Sequence, residues 1–399
     1  IPAEQVNTIK IYGGTGKPLS EKVSDALKNN FSEIPIIVRS KQNGELDYII
    51  FYGVGTQGFE YNGQEFRSYV NPYGNTNYYY LSWGGTEGKR ITFDSLGNCS
   101  KVNIPKTYIE RIFFKEEFIN PYASGSGRTW FGGNIFPRTF TNVLNNLERD
   151  GNIFYRFNVA HKYRTDSIGF KGTFSFYESS SNLLGKTQLY AISNANTYLE
   201  ARSTEFTATL PANQIASDNR SNLKIEYSSP EPGKATPYFN FYEIHYPRAF
   251  VPLDNSISFF TEPTNSGCFE YQINGFSGEI FGFDVTSPDS PKQLTNLSVV
   301  ANAFTFRANI ESDKIRKFFI SSNLLKPEIS KINLRGLRTN PLNADVVIIT
   351  NKLLRNSADK YKQYREKTTN LSFAIVYVDE IFDEFSYGIP DPTGIRDFI

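Results

Sequence analysis

Between Lys106 and about Phe250 the side chains alternate in character with a period of two, and no other feature restricts the fold of this chain so tightly. Phe170, Gly172, Phe174 and Phe176 fall on one parity, and Lys171, Thr173 and Ser175 fall on the other. Successive strand residues point to opposite faces, so this is one buried and one wet face of an antiparallel strand. Tyr242, Ile244 and Tyr246 repeat the device near the end of the block. Strands recurring between turns predict a β-sandwich over residues 106–250. The 34 Phe and 25 Tyr suit sheets, because aromatic side chains pack well on a half-buried pleated surface. At 399 residues the chain is too long for one core, and two to four domains are expected.

The flanking stretches are also β in style. In residues 1–105, the strand Asp47–Tyr52 is entered through Asn43-Gly44, a strong hairpin signal. Tyr78-Tyr79-Tyr80-Leu81 reads as another strand, preceded by the turn chemistry of Asn71-Pro72-Tyr73-Gly74. One helix is predicted around Ser20–Asn29, with Ser20 as cap and Val23, Ala26 and Leu27 on one face. Residues 251–338, with Phe281–Thr286 leading into the Pro288 and Pro291 turn, read as a smaller β module packed on the first two.

The character changes near Asn343. Asp345–Thr350 is continuously apolar at its centre, as in a strand covered on both faces. A helix over Ser357–Lys367, with Ala358, Tyr361 and Arg365 along one side, and a second buried strand over Leu371–Val378 complete a βαβ unit. Its strands should lie parallel. Asp391-Pro392 has the form of an N-cap followed by proline at the first helical position. Residues 339–399 thus read as the truncated start of an α/β domain. Its open apolar positions, Val346, Ile348, Phe373 and Ile375, are expected to dock on the module ending near Arg338 or on another copy.

Chemistry-bearing motifs are few. Gly53-Val54-Gly55-Thr56-Gln57-Gly58 matches a dinucleotide fingerprint, but Phe59–Tyr61 reads as a strand where a helix N-terminus should receive the pyrophosphate. Gly13-Gly14-Thr15-Gly16-Lys17 has the outline of a phosphate loop, but Pro18 stands where a Mg²⁺-binding hydroxyl belongs. Both are taken as turns. A cysteine peptidase needs a thiolate beside an imidazole. Cys99, Cys268, His161 and His245 are the candidates, and structural thiols with surface-facing strand histidines are the preferred account of all four. They have no metal-ligand spacing, and no acidic loop has the spacing of a calcium site. Trp130 is expected in the sandwich core, since tryptophan is highly buried on average, and the Tyr78–Tyr80 run is read the same way. The sequence singles out no catalytic, substrate-binding, metal or cofactor residue.

Several segments together resemble the type IX secretion sortases, cysteine peptidases of the gingipain type. They are Asp47–Gly53 with Asn71-Pro72-Tyr73 and Tyr78–Leu81, Ser126–Gly132, Tyr242–Arg248, Phe283–Pro288, and above all Ala344–Thr350 with Glu380–Gly388 and Asp391–Phe398. The resemblance implies antiparallel β domains leading into a caspase-like α/β domain with a Cys-His dyad that follows later strands. No position here matches that dyad, so the chain itself is expected to be inert. The resemblance further implies a place on the bacterial outer-membrane surface beside a β-barrel partner. It implies cleavage of C-terminal signal domains from secreted cargo, and attachment of that cargo to lipopolysaccharide. The competing class is a non-catalytic β-sandwich that binds glycan or protein cargo.

The balance of 42 basic and 41 acidic residues, spread along the chain, argues against nucleic acid as a partner. Two cysteines permit one disulfide and no framework. No run of 18 apolar residues exists to make a membrane-spanning helix. The start at Ile1 fits a chain whose leader has been removed.

Overall fold

The computed structural model describes all residues except 29–30, 95–100, 121–126, 168, 180, 197–198 and 341. The alternating block folds into two four-stranded antiparallel sheets. One holds the strands Arg138–Val143, Arg220–Ser228, Phe170–Glu178 and Asn182–Tyr190, in that spatial order. The other holds Arg202–Pro211, Asn152–Lys162, Thr236–Ala249 and Thr107–Lys115. Inward residues of both sheets, among them Phe157, Phe174, Phe176, Phe239 and Ile244, make one core. Phe176 stacks on Phe206 at 4.6 Å between ring centres, a geometry that adds to the area each ring buries. Gly172 keeps its parity for a reason: a Cβ there would lie 2.4 Å from His161 Nδ1 and 2.6 Å from the Tyr227 hydroxyl. Phe170 departs from the pattern. At the strand's end it is exposed and packs on Tyr190, its partner across the sheet edge.

The strands between Ser256 and Ser321 form a second layered module. Ser256–Phe260, Lys317–Ser321, Phe281–Asp284 and Lys292–Gln293 make one sheet, and Ala303–Ile310 with Gly267–Asn274 face it. The short strand Val102–Asn103 joins Gly267–Asn274 in parallel. Phe259, Tyr271, Phe304, Phe306 and Phe318 fill the space between the sheets.

The N-terminal stretch is a three-stranded sheet, Ser32–Ile34, Lys10–Gly13 and Tyr79–Ser82, with two hairpins beside it. The Asn43-Gly44 turn joins Ile37–Ser40 to Leu46–Ile50, with Gly44 at φ +83°. The predicted helix is only a 3₁₀ turn over Val23–Lys28, and Val23 points to solvent. So short a segment closes too few hydrogen bonds to nucleate an α-helix.

The terminal segment has the parallel pair the sequence predicts, Val346–Thr350 beside Phe373–Tyr377. Helix α1 (Arg355–Thr368) connects them. Its face is narrower than expected: Ala358 is buried, whereas Tyr361 is about half exposed. Helix α2 (Val378–Phe385), not predicted, follows directly, and α3 (Pro392–Phe398) starts at the Asp391 cap as expected. Val376, Ile381 and Phe385 pack with Leu337. The segment docks on the stretch ending at Arg338, as expected, where the Gly336 and Arg338 amides donate to the buried Glu384. Its far end also meets the loop Gly14–Glu21, through Asp391 and Arg396. Among the described residues no helix is long and apolar enough to cross a membrane.

Candidate functional site

Neither histidine faces the surface, contrary to the sequence expectation. Alternation turns both toward interfaces that the local pattern does not show. His161 is fully buried in the sandwich. Its Nε2 lies 2.9 Å from the Tyr190 carbonyl, which can only accept, so Nε2 carries the proton and Nδ1 accepts from the Tyr227 hydroxyl at 3.1 Å. Burial lowers its pKa, and the hydrogen bond to Tyr190 opposes this only in part.

His245 belongs to a buried ionic network. Its Nε2 meets Glu243 Oε2 at 3.2 Å. Arg156 donates to the same carboxylate oxygen at 2.6 Å, while Ser68 donates its amide and hydroxyl to the other oxygen at 3.0 and 2.6 Å. Arg156 also bonds Glu65 and, at 3.0 Å, the Phe66 carbonyl. Burial opposes the charge on Glu243, but the bonds from His245 and Ser68 and the charge of Arg156 outweigh it and lower the pKa. Burial lowers that of His245 as well. The network seats the hairpin Gln57–Tyr61/Phe66–Val70 on the sandwich. A buried pair held this way is costly to break from one side, because the remaining charge has no water.

Cys268 is disulfide-bonded and so offers no thiolate. Cys99 lies outside the described residues. The structure does not bring a thiol to either imidazole among the described residues, and no three metal-ligating side chains converge there.

Side chains from distant parts of the sequence converge instead at a crevice of about 310 Å³ between the loop Gly13–Ser20 and the turn Ser386–Asp391. The two glycine motifs meet here. Gly16 has φ +72°, and a Cβ on it would lie 2.4 Å from the Gly55 carbonyl oxygen. Asn71 and Asn77 hold both loops: Asn71 Nδ2 donates to Gly16 O at 3.0 Å, and Asn77 Nδ2 to Val54 O at 3.1 Å. Lys17 is paired with Glu60 and lies over Tyr69, so it is not a free phosphate ligand. Among the described residues no α-helix follows either motif directly, and the first leads only to the 3₁₀ turn Val23–Lys28.

Across the crevice, the buried Asp391 carboxylate accepts from the Thr393 amide at 2.9 Å, its capping bond, and from the Leu19 amide at 2.8 Å. Arg128 donates from Nη2 to Leu19 O at 2.6 Å and Thr393 Oγ at 3.0 Å, with Asp391 at 3.8 Å. Arg396 donates to Glu21 O at 2.6 Å and Ser20 O at 3.1 Å, and the Tyr80 hydroxyl to Asp383 O at 3.0 Å. The Tyr387 ring packs on Phe31 and over Gly14, where a Cβ would come within 2.7 Å of it. Sequence reasoning took Asp391 as a local cap and the glycines as turns. Nothing local signals a partner more than 370 residues away.

The tyrosine run, read as core, is only partly so, and Tyr78 is a correction. Tyr79 packs against the N-terminal core and bonds the Val54 amide at 2.7 Å, whereas Tyr80 turns to α2 and Tyr78 is exposed. Trp130 is a correction: it is 38% exposed, with its indole N–H on Gly127 O at 3.1 Å, and the neighbouring Phe131 is the buried ring. Phe131 pairs with Ile119 and faces inward, so alternation sends Trp130 outward. Beyond the carboxyl ends of the parallel strands, Lys352 pairs with Asp379, and Asp383 has a raised pKa through burial and the nearby charge of Asp379.

Residues 339–399 match the model of peptidase family C25. Over nearly its whole length, the chain is similar to the solved structure of dimeric latent PorU from Porphyromonas gingivalis. The TM-score is 0.79 and the identity 20%, covering 98% of this chain and 36% of that one. That likeness shows the fold, β-rich modules ahead of an α/β segment, and bears out the resemblance read in the sequence. This chain spans about a third of the PorU structure it matches. A structure of the infectious bursal disease virus Gt strain aligns over 91% of this chain and 72% of that one at 9% identity, but its TM-score of 0.19 carries no argument. No curated protein matches the chain.

Proposed function

We propose that this chain forms the β-rich front region, together with the opening of the peptidase domain, of a gingipain-type cysteine peptidase on the bacterial outer-membrane surface. The enzyme removes C-terminal signal domains from type IX secreted cargo and joins the new end to lipopolysaccharide, working beside an outer-membrane β-barrel. The observation that carries this reading is the family match over residues 339–399, where Glu380–Gly388 and Asp391–Phe398 form the docked turn and helix. The chain's part in that activity is to hold the peptidase domain, since its one described cysteine is oxidised. In the test, secreted cargo bearing its signal domain is incubated with the product of the full reading frame and, separately, with the 399-residue chain. Cargo is expected to be shortened by the former only, and thiol alkylation should abolish the shortening. Failure of the full product to cleave, or cleavage that survives alkylation, would overturn the reading.

A further inference from the structure

The hairpin Gln57–Tyr61/Phe66–Val70 pairs with no other strand among the described residues. Two strands alone are marginal in water, so the hairpin keeps its place through what it rests on. It rests on the face of a sandwich sheet that alternation turns away from Phe157 and Ile244. Phe66 packs on Phe260 at 5.1 Å between ring centres and under the Arg111 guanidinium at 3.5 Å. The polar contacts are Glu65 on Arg156, Ser68 on Glu243, and Arg67 on Glu205 at 2.6 Å. The hairpin also leads straight into the crevice. Asn71 follows its last residue and donates to Gly16 O, three residues before the Leu19 amide that Asp391 grips.

His245 stands at the centre of this seat. It lies opposite Arg111 in one neighbouring strand and Phe154 in the other, and Phe59 of the hairpin meets its ring at 5.5 Å. Only 11% of its side chain is exposed, so a charge on it would have little water. The charged groups facing it are Glu243 on its own strand and Arg111 and Arg156 on the strands beside it. Beyond these lie Glu65 of the hairpin, on Arg156, and Glu262, which holds Arg111 at 2.7 Å. Nε2 is satisfied by Glu243, whereas Nδ1 bonds to no described residue. A second proton would therefore sit unpaired at Nδ1. Its neighbours would be two guanidiniums whose Nε atoms are themselves buried without a described acceptor.

We propose that protonation of His245 unlatches the hairpin from the sandwich, and that the loosening passes through Asn71 to the Leu19–Asp391 contact, so that mild acid frees the terminal segment while the sandwich stays folded. The direction follows from linkage. Burial holds the imidazole below its usual pKa, and the bond to Glu243 opposes this only in part. Lifting the hairpin returns the ring to water and to an ordinary value near 6.5, so the lifted state takes the proton first. The seat is fully held above about pH 6.5 and weakens as pH falls from there toward the seated-state pKa. Glu243 acts in a lower window. Burial opposes its charge, but its bonds hold its pKa below 4.5, so its share is lost only in stronger acid. His161 lies in the sandwich core and bonds Tyr227 and Tyr190, so its proton bears on the sandwich and not on the hairpin.

The test is hydrogen exchange of the whole 399-residue chain at pH 7, 6 and 5, corrected for the intrinsic exchange rate at each pH. Protection of the amides in residues 57–70 is expected to fall below pH 6.5, by up to about tenfold per pH unit for one proton. The amides of Leu19 and Thr393 should lose protection in step, and those of Asn152–Lys162 should stay the better protected throughout. His245→Gln keeps a donor for Glu243 but takes up no proton, and should remove the pH dependence of the hairpin. His161→Gln should leave it in place. Equal protection of hairpin and sandwich at pH 5 would mean that only the whole molecule opens, which overturns the latch without recourse to any variant. A pH-dependent loss that survives His245→Gln overturns the role of His245. A Leu19 amide that stays protected while the hairpin opens overturns the coupling to the terminal segment.

Discussion

The β-sandwich and the terminal α/β segment are stabilised in different ways. The sandwich supplies both sides of its own core. Phe157, Phe174, Phe176 and Phe239 are all fully buried, and every one of their principal neighbours comes from the same alternating block. Among its described residues the terminal segment has only two strands and three α-helices. It buries Val376, Ile381 and Phe385, yet leaves Val347, Leu354 and Tyr364 open at 38%, 56% and 63%. Its turn at Tyr387, at φ +55°, and its helix α3 are held by Gly14, Leu19, Phe31, Tyr80 and Arg128. A region that closes its own core is indifferent to its surroundings, whereas one that does not depends on side chains from elsewhere in the chain.

The sharpest way to break that contrast is in the sandwich. Phe157→Ala should destabilise it by about 3–5 kcal/mol, the usual cost of emptying an aromatic site in a core. Denaturant unfolding checks this, and a loss below about 1 kcal/mol would mean the core is not the closed unit described. Gly14→Ala probes the other side. The added methyl meets the Tyr387 ring at 2.7 Å, and the overpacking should cost about 1–3 kcal/mol, felt locally. Hydrogen exchange should show faster amides over residues 383–396 and unchanged ones in the sandwich. Equal loosening of both would erase the distinction.

The third effect is smaller and depends on pH. His161 and His245 both have pKa values below the ordinary value for histidine, chiefly through burial. The unfolded chain therefore takes up these protons first, near pH 6.5, and stability should fall as pH drops from there toward the folded-state pKa values. His161→Gln should flatten its part of the slope in thermal unfolding between pH 7 and 5, and an unaltered slope would remove His161 from the account. The least effect is expected at Trp130, where Trp130→Ala should change stability by about 0.5 kcal/mol or less, since the indole is largely open. A loss several times larger would place it in a core after all.

Much of the architecture was legible because its signals are local. Alternation at Phe174 and Phe176, the Asn43-Gly44 turn, the apolar run before Thr350 and the Asp391-Pro392 cap each act through neighbours within a few residues. Helix α2 was missed although Val378, Ile381, Phe382 and Phe385 have helical spacing and Glu380 closes a capping box, because it follows the strand without a turn and Tyr377 is an unusual N-cap residue. The histidines were misplaced for a related reason. Period two tells which residues share a face, but a hairpin from residues 57–70 covers the face that carries His245.

The sequence by itself determined the antiparallel sandwich, the parallel strand pair and the family likeness, because strand periodicity and short motifs are written into adjacent residues. Only the tertiary structure decided that Trp130 is open and Phe131 buried, that Cys268 is oxidised, and that Asp391 caps a helix and grips the Leu19 amide at once. Those outcomes depend on which groups meet after the chain has closed over hundreds of residues. A carboxylate or a ring carries no mark in sequence of the partner that burial will give it.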